Sequence, residues 1–409
     1  MANNFITGLD IGSQSLKAAV AEVKSDGRTV LVNLFKTPSG GMRKGSVDDL
    51  AEMTRSLNIM FGEIKKVSKN ALKNLFINAN GDVHVQSSRG IVAVSRADNE
   101  VYQDDIDRAI QASQAIKLPS NRMVLHAITK EFVVDGIGDI RDPLGMSGNR
   151  LEVNSLIIDA FGPSIKNLTK CVEMAGVSVG GLIFSPLADS MASLSKNQKD
   201  LGVALVDVGF GTTSLCVYEE NKLIHCAVFP VGSGNITNDL AIGLKTSVEA
   251  AEAVKLTYGS ANLKGASGRE QVDLKKIDPD TRSNVSRRFI AEIIEVRLAE
   301  IFEFVNNELK IIGKASQLPV GVVLVGGGCK LSGIVDFVKE EMDLPAQIGI
   351  PDIASVESPN GEISLQAEDP QFVGALGLLM EGRNRMFGDS GGGGGLKNWL
   401  KNAINNLLP

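Results

Sequence analysis

Two stretches of one design, placed half a chain apart, constrain this sequence more than any other feature. Around Asp207 it reads Leu205-Val206-Asp207-Val208-Gly209-Phe210-Gly211-Thr212-Thr213-Ser214-Leu215. The pattern predicts a buried strand, a glycine-punctuated loop and a second strand from about Ser214. Around Asp10 the order recurs: Ile6-Thr7-Gly8-Leu9-Asp10-Ile11-Gly12-Ser13-Gln14-Ser15-Leu16-Lys17. Asp10 and Asp207 share an Asp–apolar–Gly core 197 residues apart in a 409-residue chain. Either loop alone reads equally well as an ordinary β-turn. The matched pair predicts an internal duplication, two half-molecules that each offer one such hairpin.

Glycines in these loops let the backbone come close to a bulky group. Hydroxyl and N–H donors beside them form a nest that suits phosphate. The candidate contacts are Gly12, Ser13, Ser15 and Lys17 in the first hairpin, and Gly209, Gly211, Thr212 and Thr213 in the second. Asp10 and Asp207 are placed to hold a hydrated cation. A third element follows the apolar run Val320 to Val325: Gly326-Gly327-Gly328-Cys329-Lys330, with a helix expected from about Ser332. Three glycines there bring backbone against a flat or anionic group, with a helix N-terminus behind. No Gly-Lys-Ser/Thr follows, which excludes a Walker A loop, and no strand–GxGxxG–helix unit occurs.

Composition narrows the function classes. A formal net charge of −6 and the lack of a basic stripe interleaved with aromatics argue against nucleic-acid binding. Cys171, Cys216, Cys226 and Cys329 have no CxxC spacing, as expected of buried thiols in a reducing compartment. His84, His126 and His225 are isolated and read as structural. No basic-then-apolar leader and no long apolar run is present, so a cytoplasmic protein is expected.

Along the chain, strands are expected at 5–11, 15–23 and 29–36, a short loop at 37–47, a helix at 48–68 and a strand at 75–77. The helix due next, 164–174, comes only after an inserted module, 84–163. That module should hold a helix at 103–116, strands near 122–134 and 150–160, and a polar glycine-rich loop at 139–148. A strand at 179–184 and a helix at 187–194 complete the first half, 1–83 with 164–200. The second half, 201–244 with 319–383, repeats the plan, with strands at 202–208, 214–219 and 223–229. Gly232 leads into its first helix and is a further candidate contact. Residues 245–318 form a helical insertion, with helices at 247–258 and 287–312 around a polar hairpin or loop. A strand near 346–350 and a helix at 370–379 close the half. Residues 384–395, with glycine at every position from 391 to 395, read as a flexible linker.

Beyond the linker, residues 396–409 carry Leu396, Trp399, Leu400, Ala403, Ile404, Leu407 and Leu408 on one side of a helical wheel. Two Lys and four Asn fill the other. An amphipathic helix of this kind can dock on its own core or in a partner's groove. A five-glycine tether disfavours obligatory docking, and Trp399 with flanking lysines suits a membrane interface.

The two hairpins and the strand–Gly-Gly-Gly–helix unit, in this order, resemble the actin-like ATPases. That resemblance implies an α/β fold of two duplicated mixed-sheet halves around a nucleotide cleft, with ATP and Mg²⁺ as ligands. It implies that the hairpins clamp the phosphates, that Gly326, Gly327 and Gly328 abut the adenosine, and that Glu252 and Lys255 contact the ribose and adenine side. Glu252 and Lys255 also read as a simple i, i+3 surface ion pair. Phe210 departs from the commoner glycine of the second hairpin. The stretches 124–148 and 235–244, the short 37–47 connection in place of a IB subdomain, the 1C-type insertion and the amphipathic tail together resemble the FtsA family of bacterial cell-division proteins. This implies ATP-dependent self-association into filaments at the cytoplasmic face of the cell membrane. It also implies binding of the FtsZ C-terminal peptide through 245–318 (IIB), and of other divisome proteins through the insertion. Chaperones of the superfamily carry a carboxylate before the proline that opens the first half's last helix. Ser185 stands there, so hydrolysis is expected to be slow at most. Two alternatives stay open: a pilus-assembly adaptor of the PilM type, and a sugar or acid kinase of the superfamily. Neither has use for a membrane tail.

Overall fold

The computed structural model describes residues 4–96, 98–278, 284–353, 356–357 and 361–387. β1 (Asn4–Ile11), β2 (Ser15–Val23) and β3 (Thr29–Pro38) form an antiparallel meander. Gly27, at φ +84°, makes the left-handed turn between the last two. A small ribbon, β4 (Met42–Arg43) with β5 (Ser46–Val47), stands where an unstructured loop was expected. Gly41 and Gly45, both at positive φ, close it.

Helix α1 (Leu50–Val67) begins where Asp49 accepts from the N–H groups of Ala51 and Glu52. Met53, Leu57, Met60, Phe61 and Ile64 recur at helical spacing and are buried against the first sheet, each worth ~1.5–3 kcal/mol of transfer free energy. β6 (Leu75–Ala79) then lies parallel to β1.

The inserted module follows: β7 (Val83–Ala93), α2 (Gln103–Gln114), β8 (Arg122–Val134), β9 (Ile137–Ile140) and β10 (Arg150–Phe161). Its sheet has the order β7-β10-β8-β9. Two of these strands depart from expectation. β7 reads as polar because it is an edge strand whose residues alternate with solvent. β9 runs into the loop expected at 139–148, and Gly136 and Gly138 break its pattern, yet it pairs with β8 as the other edge.

α3 (Gly162–Met174) and β11 (Val179–Phe184) complete a first sheet of order β11-β6-β1-β2-β3. α4 (Ser185–Ser193) starts two residues earlier than expected, because Pro186 is accommodated in its first turn. α5 (Lys196–Leu201) crosses to the second half.

There, β12 (Val203–Val208), β13 (Thr213–Glu219) and β14 (Lys222–Phe229) form a second meander. α6 (Ser233–Leu244), α7 (Val248–Tyr258), the short ribbon β15 (Gln271–Asp273) with β16 (Asn284–Ser286), and α8 (Arg287–Ile311) come next. β17 (Gly321–Val325), α9 (Ile334–Met342) and β18 (Ala346–Ile348) give a second sheet of order β14-β13-β12-β17-β18. The two sheets therefore share one plan, and the predicted duplication is present in the folded chain.

α10 (Gly361–Ala367) and α11 (Val373–Phe387) end the described chain. α11 runs well past the expected end at 379 and into the expected linker. It lies across β1 of the first half: a Cβ on Gly8 would stand 2.2 Å from the Ala375 carbonyl oxygen. Gly377 likewise admits α4, since a Cβ there would sit 1.9 Å from the Ala188 oxygen. One apolar core runs through α4, α11 and facing residues of both sheets and of β10, so the two halves and the insertion share it. The rest of the expected linker and the amphipathic segment 396–409, with Leu396, Trp399, Leu400, Ala403, Ile404, Leu407 and Leu408, lie outside the described residues.

Candidate functional site

The turns at Gly12–Gln14 and Gly209–Thr212 meet across a cleft of about 750 Å³ between the halves. They are close enough that a Cβ on Gly211 would reach 2.6 Å from Ser13 Oγ. Of the residues expected here, Asp10, Gly12, Ser13, Ser15, Lys17, Asp207, Gly209, Gly211, Thr212, Glu252, Lys255, Gly326, Gly327 and Gly328 line the cleft. Thr213 and Gly232 do not. Thr213 opens β13 with its side chain fully buried, because strand alternation turns it to the core side. Gly232 lies behind the second loop, where a Cβ would be 2.6 Å from the Gly209 carbonyl oxygen. It sets the loop's closeness to α6 without touching the cavity.

Asp10 and Lys17 are directly opposed on β1 and β2, and Lys17 Nζ lies 2.7 Å from Asp10 Oδ2. Burial alone would lower the Lys17 pKa, but the Asp10 charge and hydrogen bond raise it, so it stays cationic. Asn78, on β6, donates to Asp10 Oδ1 at 2.8 Å and accepts the Ile11 N–H at 2.7 Å. Asp207, on β12, is pushed up to about 6, first by burial and then by the Asp10 charge.

The glycine loop fits around Asp207. Gly326 sits at φ +84°, and a Cβ on it would stand 1.9 Å from Asp207 Oδ1. Gly328 is held against Val208, whereas a Cβ on Gly327 would meet nothing within 4 Å among the described residues. The helix expected from Ser332 starts only at Ile334. A 3-10 turn, Gly328–Lys330, and the left-handed Gly333 intervene, so no α-helix N-terminus backs this loop directly.

Glu252 and Lys255 pair on α7 at 2.7 Å, but neither is a plain surface ion pair. Lys255 Nζ also donates to the Ser233 carbonyl at 3.1 Å and to Thr237 Oγ1 at 2.8 Å, tying α7 to the start of α6. Burial lowers its pKa, partly offset by Glu252. Glu252 Oε1 accepts from Gln14 Nε2 at 3.1 Å, a polar bridge from the helical insertion to the first hairpin. Phe210, the departure from glycine, carries the Lys255 ammonium 5.5 Å from its ring centroid.

Sequence reasoning missed several cleft residues. Lys36, on β3, is the cross-strand partner of Lys17 and hydrogen-bonds Gln371 at 2.6 Å. Burial, then the charges of Lys17 and Lys330, lower its pKa. The strand register set by the 24–27 turn could have revealed it. Arg287 and Lys330 also line the cleft. Asp189, on α4, is buried there, and burial followed by the charges of Asp207 and Asp10 raises its pKa well above the usual carboxylate range. Five cations and three aspartates thus surround the cavity, a pattern that suits a polyanion carried with a metal ion. Among the described residues, no three His, Cys, Asp or Glu side chains converge closely enough to bind an ion directly. The carboxylates fit a cation that keeps its water shell.

Comparison with known proteins decides the family. The family model for "Cell division protein FtsA" matches residues 204–377, and that for the "SHS2 domain inserted in FTSA" matches 80–159, the span of the inserted sheet. The FtsA of Pseudomonas aeruginosa is 33% identical over 383 residues, covering 93% of this chain and 90% of its own. The chain belongs to the FtsA family of cell-division proteins. The FtsA of Neisseria meningitidis is likewise 33% identical, over 98% of this chain and 99% of its own, and that of Bacillus subtilis 33% over 92% and 83%.

Solved structures share the actin-like fold of this FtsA-family chain. The PilM-PilN type IV pilus biogenesis complex aligns at a TM-score of 0.66 with 19% identity, covering 92% of this chain and 98% of that one. MreB5 of Spiroplasma citri bound to ADP aligns at 0.51 with 12% identity, over 98% and 99%. Among the described residues no helix is long and apolar enough to cross a membrane.

Proposed function

We propose that this FtsA-family chain binds ATP with a hydrated Mg²⁺ in the cleft and uses it to hold its two halves together in an assembling adaptor of the division machinery. The observation that carries the reading is the meeting of the two Asp–Gly hairpins. They lie face to face across one cavity, with Asp10 and Asp207 beneath them and Gly326 against Asp207. Gly12, Ser13, Ser15, Gly209, Gly211 and Thr212 would offer N–H and hydroxyl donors to the phosphates, and Lys17 a cation. The ion would supply charge neutralisation of the phosphates. Gly327, whose α-carbon faces open space, leaves room for a flat base in the cleft that the Lys255–Glu252 pair also lines. The fold neighbour MreB5 was solved with ADP, which supports this ligand class.

Hydrolysis in this reading is slow. Ser185 Oγ is engaged with the Ala79 carbonyl at 3.2 Å and the Asn78 amide at 3.3 Å, and a hydroxyl is a poor base at neutral pH. Residues 1–83 with 164–200 serve as IA, 84–163 as the 1C subdomain, 201–244 with 319–383 as IIA and 245–318 as IIB. IIB takes the FtsZ C-terminal peptide, the 1C sheet takes other divisome proteins, and copies of the chain associate into filaments. The amphipathic segment 396–409 anchors the assembly to lipid at the cytoplasmic face of the division site.

The test is calorimetric binding of Mg-ATP to the full chain and to Asp207→Ala. The variant should bind at least about tenfold more weakly, or ~1.4 kcal/mol. Unchanged affinity would overturn the reading.

A further inference from the structure

Asp189 is a carboxylate that the two-hairpin reading leaves without a task. It lies one turn into α4, is 3% exposed, and lines the floor of the cleft. Its Oδ2 is buried with no hydrogen-bond partner among the described residues. Native proteins seldom leave a buried acceptor of this kind unsatisfied, because desolvating a carboxylate without a partner costs several kcal/mol. Ser190 and Ser193, the hydroxyls next along the helix, turn elsewhere, to the Leu187 and Asp189 carbonyls and to Tyr218.

The placement says what the oxygen faces. Gly374 of α11 passes between two carboxylates: a Cβ there would lie 3.3 Å from Asp189 Oδ1 and 3.4 Å from Asp10 Cγ. Asp207 completes the group, and the charges of both Asp10 and Asp207 act on Asp189. Lys17 is the cation closest to hand, and it is already bonded to Asp10. Three acidic side chains share this buried corner with one ammonium, an excess of acidic groups that a divalent ion would offset. The three do not converge on one point as direct ligands would, since no such group exists among the described residues. Water molecules on the ion would span the gaps, and Mg²⁺ sheds its waters reluctantly.

We infer that Asp189 is a third carboxylate of the cation position, accepting a hydrogen bond from a water carried by the ion. This rests on the nucleotide reading and deepens it. Asp189 therefore adds to nucleotide binding only when the ion is present.

The experiment is ATP binding by calorimetry, in excess MgCl₂ and in EDTA, for the wild-type full chain and Asp189→Asn. The amide keeps the volume and removes the charge. Asp189→Asn should weaken binding in MgCl₂ about tenfold, or ~1.4 kcal/mol, while binding in EDTA stays equal or tightens. A side chain that merely supports α4 would shift both by the same factor, and that result overturns the inference. So does a wild-type Mg²⁺ gain that the variant keeps in full, with the nucleotide reading left standing. A wild-type chain with no Mg²⁺-dependent gain overturns both readings. Should Asp189→Asn fail to fold, Asp189→Ser carries the same pair of measurements.

Discussion

His126 joins the inserted sheet to the cleft, and the joint should make the fold less stable on mild acidification while itself staying intact. It stands on β8, yet its Nε2 accepts the N–H of Phe184 at 2.9 Å, where β11 hands over to α4. An accepting Nε2 requires the neutral ring with its proton on Nδ1. Protonation would set a second N–H against the Phe184 donor in a buried place. Burial first, and then the Arg385 charge, hold the pKa down to about 3, from an ordinary 6.5. A depressed folded-state pKa gives stability that is present above 6.5 and lost as pH falls toward 3. Between pH 7 and pH 5 the loss amounts to about 2 kcal/mol, at 1.36 kcal/mol per unit over the 1.5 units below 6.5. His126→Gln, which keeps an acceptor but cannot titrate, should lose about 2 kcal/mol less than wild type over that interval in urea denaturation. With only three histidines in the chain, the ring can also be followed by NMR. Its resonances should stay those of a neutral imidazole down to pH 5. Titration of His126 near 6.5, or equal acid losses in the two proteins, would refute the argument.

Two further outcomes are expected. Gly326→Ala puts a Cβ 1.9 Å from Asp207 Oδ1 at φ +84° and should cost about 1–3 kcal/mol of stability, whereas Gly327→Ala enters open space and should melt with wild type; equal melting temperatures for the two would contradict the packing described. Trp399→Glu should abolish flotation of the full chain with anionic vesicles and leave ATP binding intact, and a variant that still floats shows that 396–409 is not the anchor.

Much of the chain could be read before it was folded, for local reasons. Alternating or unbroken apolar runs placed both meanders, and the Asp–apolar–Gly repeat foretold two sheets of one order. Helical spacing defined α1 within two residues. These signals need only near neighbours in sequence. The edge strands β7 and β9 escaped because one or both faces meet water, so their apolar pattern is weak. α11 was cut short for a different reason: Gly382 looks like a stop, yet a Cβ there would stand 2.4 Å from the Phe76 ring, so its absence is a packing requirement of the first sheet.

The site divides in the same way. Sequence alone determined which loops would line the cleft, since backbone freedom and donors are local properties of Gly12, Ser13, Gly209, Gly211 and Thr212. Only tertiary structure decided how they are completed. Lys17 finds Asp10 across a strand pair, Gln14 reaches Glu252 from 238 residues away, and Asp189 comes under the hairpins because two glycines of α11 let α4 and β1 close in. Charge interactions depend on distance and burial, which periodicity does not record. An aspartate on a short, mostly apolar helix therefore acquired its meaning only when the chain closed around it.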